Sequence, residues 1–341
     1  VPHLLFMVYQ MMFAAITPAL VSGAFAERMS FKAYLLFVLL WSTFVYDPLA
    51  HWIWAPGGWL SRLGVLDFAG GLVVHVSSGL SALVCATVIG ARVGYPREKS
   101  PPHSLTMTLL GAGLLWFGWF GFNGGSALGA NGTAVLALVN SQLAAAAGAM
   151  TWLAIDLVRW KKGSALGFAS GFVAGLATVT VGAGFVHPMA AIVFGVAAAS
   201  ACYAAIVLKD RFGYDDSLDA FGVHGVGGVV GTLLLGVLAS SAWNAAGADG
   251  LLAGGTRFFL VQALALAVTV AFSVIATFVI LRVVDLTVGL RVKPYVEREG
   301  LDVNLHGETG YAMAVSLGHP FSPDEANVLD SYPGDPNPKR K

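Results

Sequence analysis

Charged residues are scarce in this chain. They make up 11% of its 341 residues, whereas 57% of the residues are hydrophobic. A soluble domain carries roughly twice that charged fraction, so a soluble globular protein is excluded. The short alternating segments of a membrane β-barrel are also absent. The sequence therefore predicts an all-α, polytopic membrane protein.

Cysteine is rarer still. Cys85 and Cys202 are the two in the chain, and both lie within apolar stretches. Their number and spacing exclude a disulfide framework and a cysteine metal site, so we interpret both as buried small residues. We predict no metal, no cofactor and no nucleic-acid partner. The chain begins at Val1 with neither a methionine nor a signal peptide, which we interpret as the start of a fragment.

Nine apolar stretches are long enough to cross a bilayer as helices. Small residues are abundant in them, especially over 142–202, which predicts close helix packing. The stretches form a predicted transmembrane domain over 1–290. An ordered cytoplasmic region over 291–312 and a disordered tail over 313–341 follow it, the tail being rich in Pro, Asp and Asn. The nine predicted spans are 4–26, 32–54, 69–91, 104–123, 133–158, 166–184, 187–208, 219–239 and 257–284.

The basic residues predict the orientation of the chain. Ten lysines and arginines lie in alternate loops on one side and six more follow residue 290, whereas the opposite loops contain Arg62 and Arg257 alone. The positive-inside rule then places residue 1 outside and the C-terminus in the cytoplasm, as nine spans require. We predict a multi-pass protein of the cell membrane. Trp116 and Trp119, near the outer end of the fourth span, fit an interfacial aromatic belt.

Two histidines, His75 and His224, fall inside predicted spans. A charged side chain at that depth costs on the order of 3 kcal/mol or more, which makes both candidates for function. Each follows an aspartate, Asp67 or Asp219, within a glycine-rich stretch where small residues let helices come close. The alternative for each histidine is a structural role, in which the ring is hydrogen-bonded to neighbouring backbone.

Aromatic and polar residues converge on the predicted outer mouth. Trp54 ends the second span, Phe122 and Ser126 lie at the end of the fourth, and Phe13 lies within the first. A cation against such rings gains roughly 1–2 kcal/mol when partly desolvated, and the hydroxyl of Ser126 can accept its hydrogen bond. No carboxylate stands close to these residues in sequence, which argues against a metal site.

These residues, together with several longer segments, are the features by which the chain resembles a known family. It is similar over residues 1 to about 312 to the ammonium transporter (Amt/Rh/methylammonium permease) family. Trp54 and the pair of phenylalanines resemble the Amt branch more than the Rh branch. The matching segments, in order, are FAERMSF, DFAGGLVVHVSSG, WFGWFGFNGGSA, DAFGVHGVGG, and DLTVGLRV followed by EREGLDVNLHGE.

The resemblance implies a fold and an assembly. The family has two inverted repeats of five helices plus an eleventh helix, and it forms homotrimers with one pore in each subunit. About nine of the eleven helices are expected here, so the first two would be missing. The segment EREGLDVNLHGE resembles the cytoplasmic C-terminal region that packs across subunits, on the face where PII-type regulators dock.

The resemblance also implies a substrate and site residues. The substrate is ammonium, with methylammonium as its analogue. NH4+ is recruited outside and deprotonated, and NH3 crosses an apolar pore with a separate proton relay.

Asp67 is either a proton acceptor or, as we favour, a helix cap. Sequence leaves electrogenic and electroneutral transport open, and we favour the electrogenic route. The implied roles are recruitment for Trp54, Ser126 and Phe13, a gate for Phe13 and Phe122, a histidine-lined pore for His75 and His224, and support for Asp67 and Thr180.

Three other functions compete with transport of this kind. An intramembrane enzyme is disfavoured because no third ligand for zinc and no G-x-S-x-G motif accompanies the histidines, so we predict a non-enzyme. An ammonium sensor would signal through its tail, but this tail is short and lacks a recognisable signalling domain. An electroneutral gas channel of the Rh type is disfavoured by Trp54.

Overall fold

The computed structural model describes residues 1–98 and 100–311, so the predicted tail over 313–341 lies outside the described residues. Two isolated β-bridges but no strand occur in this part of the chain, which confirms the all-α prediction. The α-helices are α1 His3–Ser22, α2 Phe31–Trp41, α3 Asp47–Trp54, α4 Trp59–Leu63, α5 Ser77–Ile89, α6 Leu105–Trp119, α7 Gly132–Trp160, α8 Ala165–Val179, α9 Pro188–Phe212, α10 Val226–Leu238, α11 Thr256–Val288 and α12 Pro294–Glu299.

Short π-helical segments extend several of these helices without a break. Gly71–Val76 leads directly into α5, and Phe221–Gly225 leads directly into α10. A π-helical turn widens the helix locally and is frequent at functional sites. The other π-helical segments are Ser42–Tyr46, Phe120–Gly124 and Asp302–His306, and Leu251–Ala253 forms a 3-10 turn.

Eight helical stretches among the described residues are long and apolar enough to cross a membrane. The sixth predicted span, 166–184, is the one outside this group: it is shorter than expected, because α8 ends at Val179. The carbonyl oxygens of Thr180 and Val181 accept hydrogen bonds from Ala69 and Phe68 instead of continuing the helix. The eight stretches are His3–Ser22, Phe31–Leu63, Gly71–Ile89, Leu105–Gly124, Gly132–Trp160, Pro188–Phe212, Phe221–Leu238 and Thr256–Val288.

The small residues over 142–202 bring α7, α8 and α9 into close contact, as the sequence predicted. A Cβ atom on Gly148 would collide with the carbonyl oxygen of Gly171, and one on Gly175 would collide with that of Ala144. Without a hydrophobic driving force in lipid, such backbone approach is a main source of helix association. These three helices therefore form a tightly packed unit, which α6 and α10 also contact.

A group of buried charged residues lies on the side of the protein where the sequence analysis placed most of the basic residues. The backbone N–H and the guanidinium of Arg92 donate three hydrogen bonds of 2.8–2.9 Å to the carboxylate of Asp215. Arg28, which is fully buried, donates to the carbonyl oxygens of Asp215 and Gly90. Burial by itself raises the pKa of Asp215, but the hydrogen bonds and charge of Arg92 outweigh it and hold that pKa below its usual value.

The segment after α11 is docked onto the same side. The guanidinium of Arg291 donates to the carbonyl oxygens of Ile89 and Ala91 and pairs with Glu297 at 2.8 Å. Glu297 also accepts a 2.6 Å hydrogen bond from the backbone N–H of Val93. The predicted ordered region over 291–312 is thus described as far as Tyr311, with α12 held against the loop that follows α5.

Replacing Asp215 by Asn should destabilise the protein by about 3 kcal/mol, because it leaves buried arginines without their counter-charge. Glu27→Gln removes the other, exposed carboxylate near Arg92, 3.4 Å away, and should cost about 0.5 kcal/mol. Melting temperatures of the two variants measure the difference. Since the folded-state pKa of Asp215 is lowered, its contribution is present at neutral pH and is lost as the pH falls through that pKa. Equal melting temperatures for the two variants would contradict this assignment.

Candidate functional site

The two predicted histidines meet inside the helix bundle. The rings of His75 and His224 are stacked with centroids 5.2 Å apart, and their Nδ1 atoms are 3.2 Å apart. His75 is 1% exposed and His224 is 9% exposed. His75 lies in the Gly71–Val76 segment and His224 in the Phe221–Gly225 segment, so both rings come from π-helical turns.

The contact between the Nδ1 atoms restricts the protons of the pair. One Nδ1 must donate and the other must accept, because two N–H groups cannot face each other across a hydrogen bond. In the neutral pair, one ring therefore has a bare Nε2 and the other has an Nε2–H. The Nε2 atom of His75 is buried and has no partner among the described residues. A small molecule beside the pair thus meets one acceptor and one donor.

Asp67 fixes the start of the first of these helices. Its carboxylate accepts hydrogen bonds of 2.6–2.9 Å from four successive backbone N–H groups, those of Gly70, Gly71, Leu72 and Val73. A carboxylate has about four lone-pair sites, and these bonds fill them. The geometry therefore supports the helix-cap interpretation of Asp67 over that of a proton acceptor.

The aspartate that plays the same part before His224 is Asp216, not Asp219, which begins the glycine-rich stretch. Asp216 accepts hydrogen bonds from the backbone N–H groups of Ala220 and Phe221 at 3.0 and 2.8 Å. Asp219 is turned away and pairs with Lys209. Asp216 stands eight residues before His224, the same spacing as from Asp67 to His75, and that repeat distinguishes it from Asp215 and Asp219.

Glycines allow the two histidine-bearing helices to lie side by side. A Cβ atom on Gly79 would collide with the backbone of Gly225, and one on Gly228 would contact the backbone of Gly71 and Val76. Residue numbers rise along one helix as they fall along the other, so the two helices are antiparallel. Each histidine is thereby presented to the other from a helix that enters from the opposite side.

Aromatic rings cover the histidine pair on the side assigned to the exterior. Phe13 is 4.5 Å from Phe122 and 5.6 Å from Trp54 between ring centroids. Phe122 in turn stacks on His75 at 6.1 Å. Trp54 is held by a 2.7 Å hydrogen bond from its indole N–H to the carbonyl oxygen of Asp67. The structure thus brings the predicted gate pair together directly above the histidines.

Ser126 joins this group through Tyr9, a residue that the sequence analysis missed. The Tyr9 hydroxyl lies 2.7 Å from the carbonyl oxygen of Phe122 and 3.1 Å from Oγ of Ser126, and its ring packs on Phe13. Tyr9 precedes Phe13 by four residues and so shares its helix face, which was the available signal. We refer to Tyr9, Phe13, Trp54 and Phe122 as the outer aromatic cluster.

Trp119 was interpreted as part of an interfacial belt, and that interpretation was wrong. It is buried, and its ring stacks on His75 at 5.6 Å. Its indole N–H donates a 2.9 Å hydrogen bond to the hydroxyl of Thr180, which in turn donates to the carbonyl oxygen of Leu176. Thr180, expected near the outer face, thus holds the indole ring that stacks on His75. Trp119 precedes Phe122 by one helical turn, so both rings reach the same site.

Metal ligands are not gathered at this site. Over residues 1–98 and 100–311, no group of three or more His, Cys, Asp or Glu side chains could hold a metal ion. The site instead combines an apolar aromatic wall with two imidazoles, a chemistry that suits a small hydrogen-bonding molecule.

Comparison with known proteins decides the family. The model described as Ammonium Transporter Family matches residues 1–311. The chain belongs to the ammonium transporter family. An ammonium transporter of Bacillus subtilis is 49% identical over 312 residues, which cover 91% of this chain and 76% of the relative.

Solved structures of this family share the fold. The crystal structure of Saccharomyces cerevisiae Mep2 has a TM-score of 0.81 at 39% identity, covering 86% of this chain and 68% of that one. A solved sensor Amt protein has a TM-score of 0.79 at 30% identity, covering 87% of this chain and 75% of that one. The family resemblance is thereby confirmed, and the likeness to Mep2 supports the Amt branch.

Replacing Gly79 by Ala should push apart the two histidine-bearing helices of this family member. Overpacking of this kind costs about 1–3 kcal/mol, and it should lengthen the contact between His75 and His224. Gly111→Ala is the matched control, because a Cβ atom there has nothing within 4 Å. Melting temperature and transport rate of both variants are the readouts. Comparable losses in the two variants would show that close approach at Gly79 is unimportant.

Proposed function

We propose that this protein transports ammonium, recruiting NH4+ at the outer aromatic cluster, deprotonating it, and conducting NH3 past His75 and His224. The observation that carries the proposal is the buried histidine pair, with its unpartnered Nε2 atom, stacked beneath Phe122. Family membership supports the substrate, and the named relatives are transporters rather than enzymes.

Recruitment depends on the aromatic faces and the oxygens beside them. Phe13 and Trp54 offer ring faces that attract a cation by roughly 1–2 kcal/mol when it is partly desolvated. The hydroxyls of Tyr9 and Ser126 and the carbonyl oxygen of Phe122 lie together next to these rings. They supply acceptors for the N–H groups of ammonium as it loses water. The contact between Phe13 and Phe122 then separates this site from the histidine pair.

Selectivity against potassium follows from two free energies: the cost of moving a bare cation into the pore and the cost of deprotonating ammonium. Moving a bare cation into a low-dielectric pore costs on the order of 20 kcal/mol in the Born limit. Removing a proton from ammonium at neutral pH costs about 3 kcal/mol, since its pKa lies roughly two units above 7. Potassium has the same charge but no proton to lose. Passage as NH3 is therefore open to ammonium alone.

The histidine pair serves both ammonia and the proton in this proposal. Neutral imidazoles offer NH3 one acceptor and one donor, which replace part of its hydration. The pair can accept one extra proton on an outer Nε2 atom while keeping the 3.2 Å contact between the Nδ1 atoms. Release from the opposite ring after a shift of the shared proton would move charge separately from NH3. We favour this electrogenic route over electroneutral passage of ammonia.

The assembly and its regulation belong to the same proposal. We place the protein in the cell membrane with its C-terminus in the cytoplasm, on the side where Arg28, Arg92 and Arg291 lie. A homotrimer and a PII-type partner on that side are implied by the resemblance of EREGLDVNLHGE, and α12 lies at the start of this segment. Methylammonium is expected to be carried as an analogue.

A sensor is the second candidate, because one of the similar solved structures is a sensor Amt protein. In that case ammonium would occupy the outer site without crossing, and the signal would leave through the cytoplasmic segments. Transport assays separate the two functions, since a sensor binds ammonium but moves none.

Current measurements on proteoliposomes test the transport proposal. A jump in ammonium should give a transient current, whereas the same jump in potassium should give none. His75→Leu should abolish the ammonium current, because it removes the two ring nitrogens of His75 from the pore. His51→Leu, at an exposed histidine of α3, is the control and should leave the current intact. A rise in luminal pH without current would mean electroneutral ammonia passage. Silence in both assays, with ammonium still bound, would favour the sensor.

Tyr9→Phe tests the recruitment site. The variant loses the hydroxyl that contacts Phe122 and Ser126 but keeps the ring against Phe13. One hydrogen bond is worth about 0.5–1.5 kcal/mol, so the KM for methylammonium should rise about two- to twelvefold while the maximal rate changes little. Tyr34→Phe on α2 is the control. An unchanged KM would remove Tyr9 from the recruitment site.

A further inference from the structure

The segment 65–70, which joins α4 to the first histidine-bearing helix, contains neither helix nor strand. Its backbone polar groups must be paired by other parts of the chain, because unpaired groups are costly inside a membrane protein. The backbone N–H groups of Phe68 and Ala69 donate to carbonyl oxygens just after α8, at 2.9 and 3.2 Å. These bonds hold the half of the segment that follows Asp67.

The half that precedes Asp67 is held by Gln262, a side chain of α11 that is 1% exposed. Its Oε1 atom accepts a 3.0 Å hydrogen bond from the backbone N–H of Leu66, and its Nε2 donates a 2.8 Å hydrogen bond to the carbonyl oxygen of Leu66. A carboxamide has an acceptor end and a donor end, so only one orientation of the amide makes both bonds. Gln262 therefore pairs with this residue as a neighbouring strand would.

The two peptide groups that flank the Cα atom of Asp67 are thus fixed from different helices. The peptide before it carries the carbonyl oxygen of Leu66, which is bonded to Gln262. The peptide after it carries the carbonyl oxygen of Asp67, which accepts the indole N–H of Trp54 at 2.7 Å. The position of Asp67, and with it the anchor of the Trp54 ring, depends on both peptides.

Other contacts dock α11 onto the bundle. Thr277 shares a 2.7 Å hydrogen bond with Ser81 of α5, and the indole N–H of Trp41 donates to both hydroxyls. Phe272 packs on the ring of Trp52, with centroids 4.7 Å apart. The carboxamide pairing is therefore not what attaches α11, and its loss affects the segment 65–70.

We propose that Gln262 is a positioning residue for ammonium recruitment, which acts through Asp67 on the indole of Trp54. The inference rests on the proposed transport function and adds to it a residue outside the outer aromatic cluster. Four hydrogen bonds keep the carboxylate of Asp67 on its helix, whereas one joins its carbonyl oxygen to Trp54. Loss of Gln262 is therefore felt at Trp54, in the affinity for ammonium, before it reaches the histidine pair.

The kinetics of methylammonium uptake by proteoliposomes test the proposal. Gln262→Met keeps the length of the side chain but removes both hydrogen bonds to Leu66. Because one hydrogen bond changes an equilibrium by about two- to twelvefold, the KM should rise about fivefold while the maximal rate changes little. Gln262→Glu keeps an acceptor for the N–H of Leu66 and should restore part of the affinity. Gln142→Met, at an exposed glutamine of α7, is the matched control and should leave the KM unchanged.

A double variant separates positioning from a general loss of stability. Gln262→Met added to Trp54→Phe should raise the KM no further than Trp54→Phe alone, because residues that act as one unit are not additive. Melting temperatures show whether each variant is folded, and Gln262→Glu takes the place of Gln262→Met if the latter is not. A lower maximal rate with an unchanged KM, or additive effects on KM in the double variant, would overturn the proposal.

Calorimetric binding of methylammonium separates this inference from the transport proposal. The dissociation constant should rise in Gln262→Met by the same factor as the KM. Wild-type protein that binds methylammonium without carrying it would contradict transport, whereas the ratio of the two dissociation constants still decides the role of Gln262. A weaker binding by the variant supports positioning, and equal dissociation constants overturn it. Neither binding nor uptake by the wild type would overturn both proposals.

Discussion

The requirement that backbone polar groups be paired inside a membrane governs the arrangement of this protein. A helix that begins within the hydrocarbon region leaves N–H groups without partners, and each costs several kcal/mol in that environment. Asp67 satisfies four of them at one helix start and Asp216 satisfies two at the other. Because each carboxylate fixes the first turn, the histidine eight residues later has a defined position. The site depends on these two caps.

The caps alone would not bring the rings together. Gly79, Gly225 and Gly228 let the two helices approach until their backbones touch, and the antiparallel crossing then places the Nδ1 atoms 3.2 Å apart. Trp119, held by Thr180, and Phe122 hold the ring of His75 from the side. The histidine pair is consequently buried among rings and screened from water, conditions under which a neutral hydrogen-bonding molecule is favoured over a cation.

Most of the architecture could be predicted from the sequence, because spans of about 20 apolar residues and the placement of lysine and arginine are direct consequences of bilayer physics. The sequence also indicated His75, His224, Phe13, Phe122 and Trp54, which the structure gathers into one column. Tyr9 was missed, Trp119 was assigned to an interfacial belt, and Asp216 was not distinguished from its neighbours. Tyr9 and Trp119 look like ordinary aromatic residues of membrane helices until their neighbours are known, and Asp216 is one of three nearby aspartates whose side chains differ only in what they contact.

By itself the sequence determined the all-α membrane class, the approximate spans, the family and the identity of the two histidines, since each of these depends on local composition or on motifs. The tertiary structure decided which rings stack on His75 and which aspartate caps each helix. The physical reason is that these features are contacts between helices distant in sequence. Such contacts depend on the crossing of backbones at small residues, which no single stretch of the chain specifies.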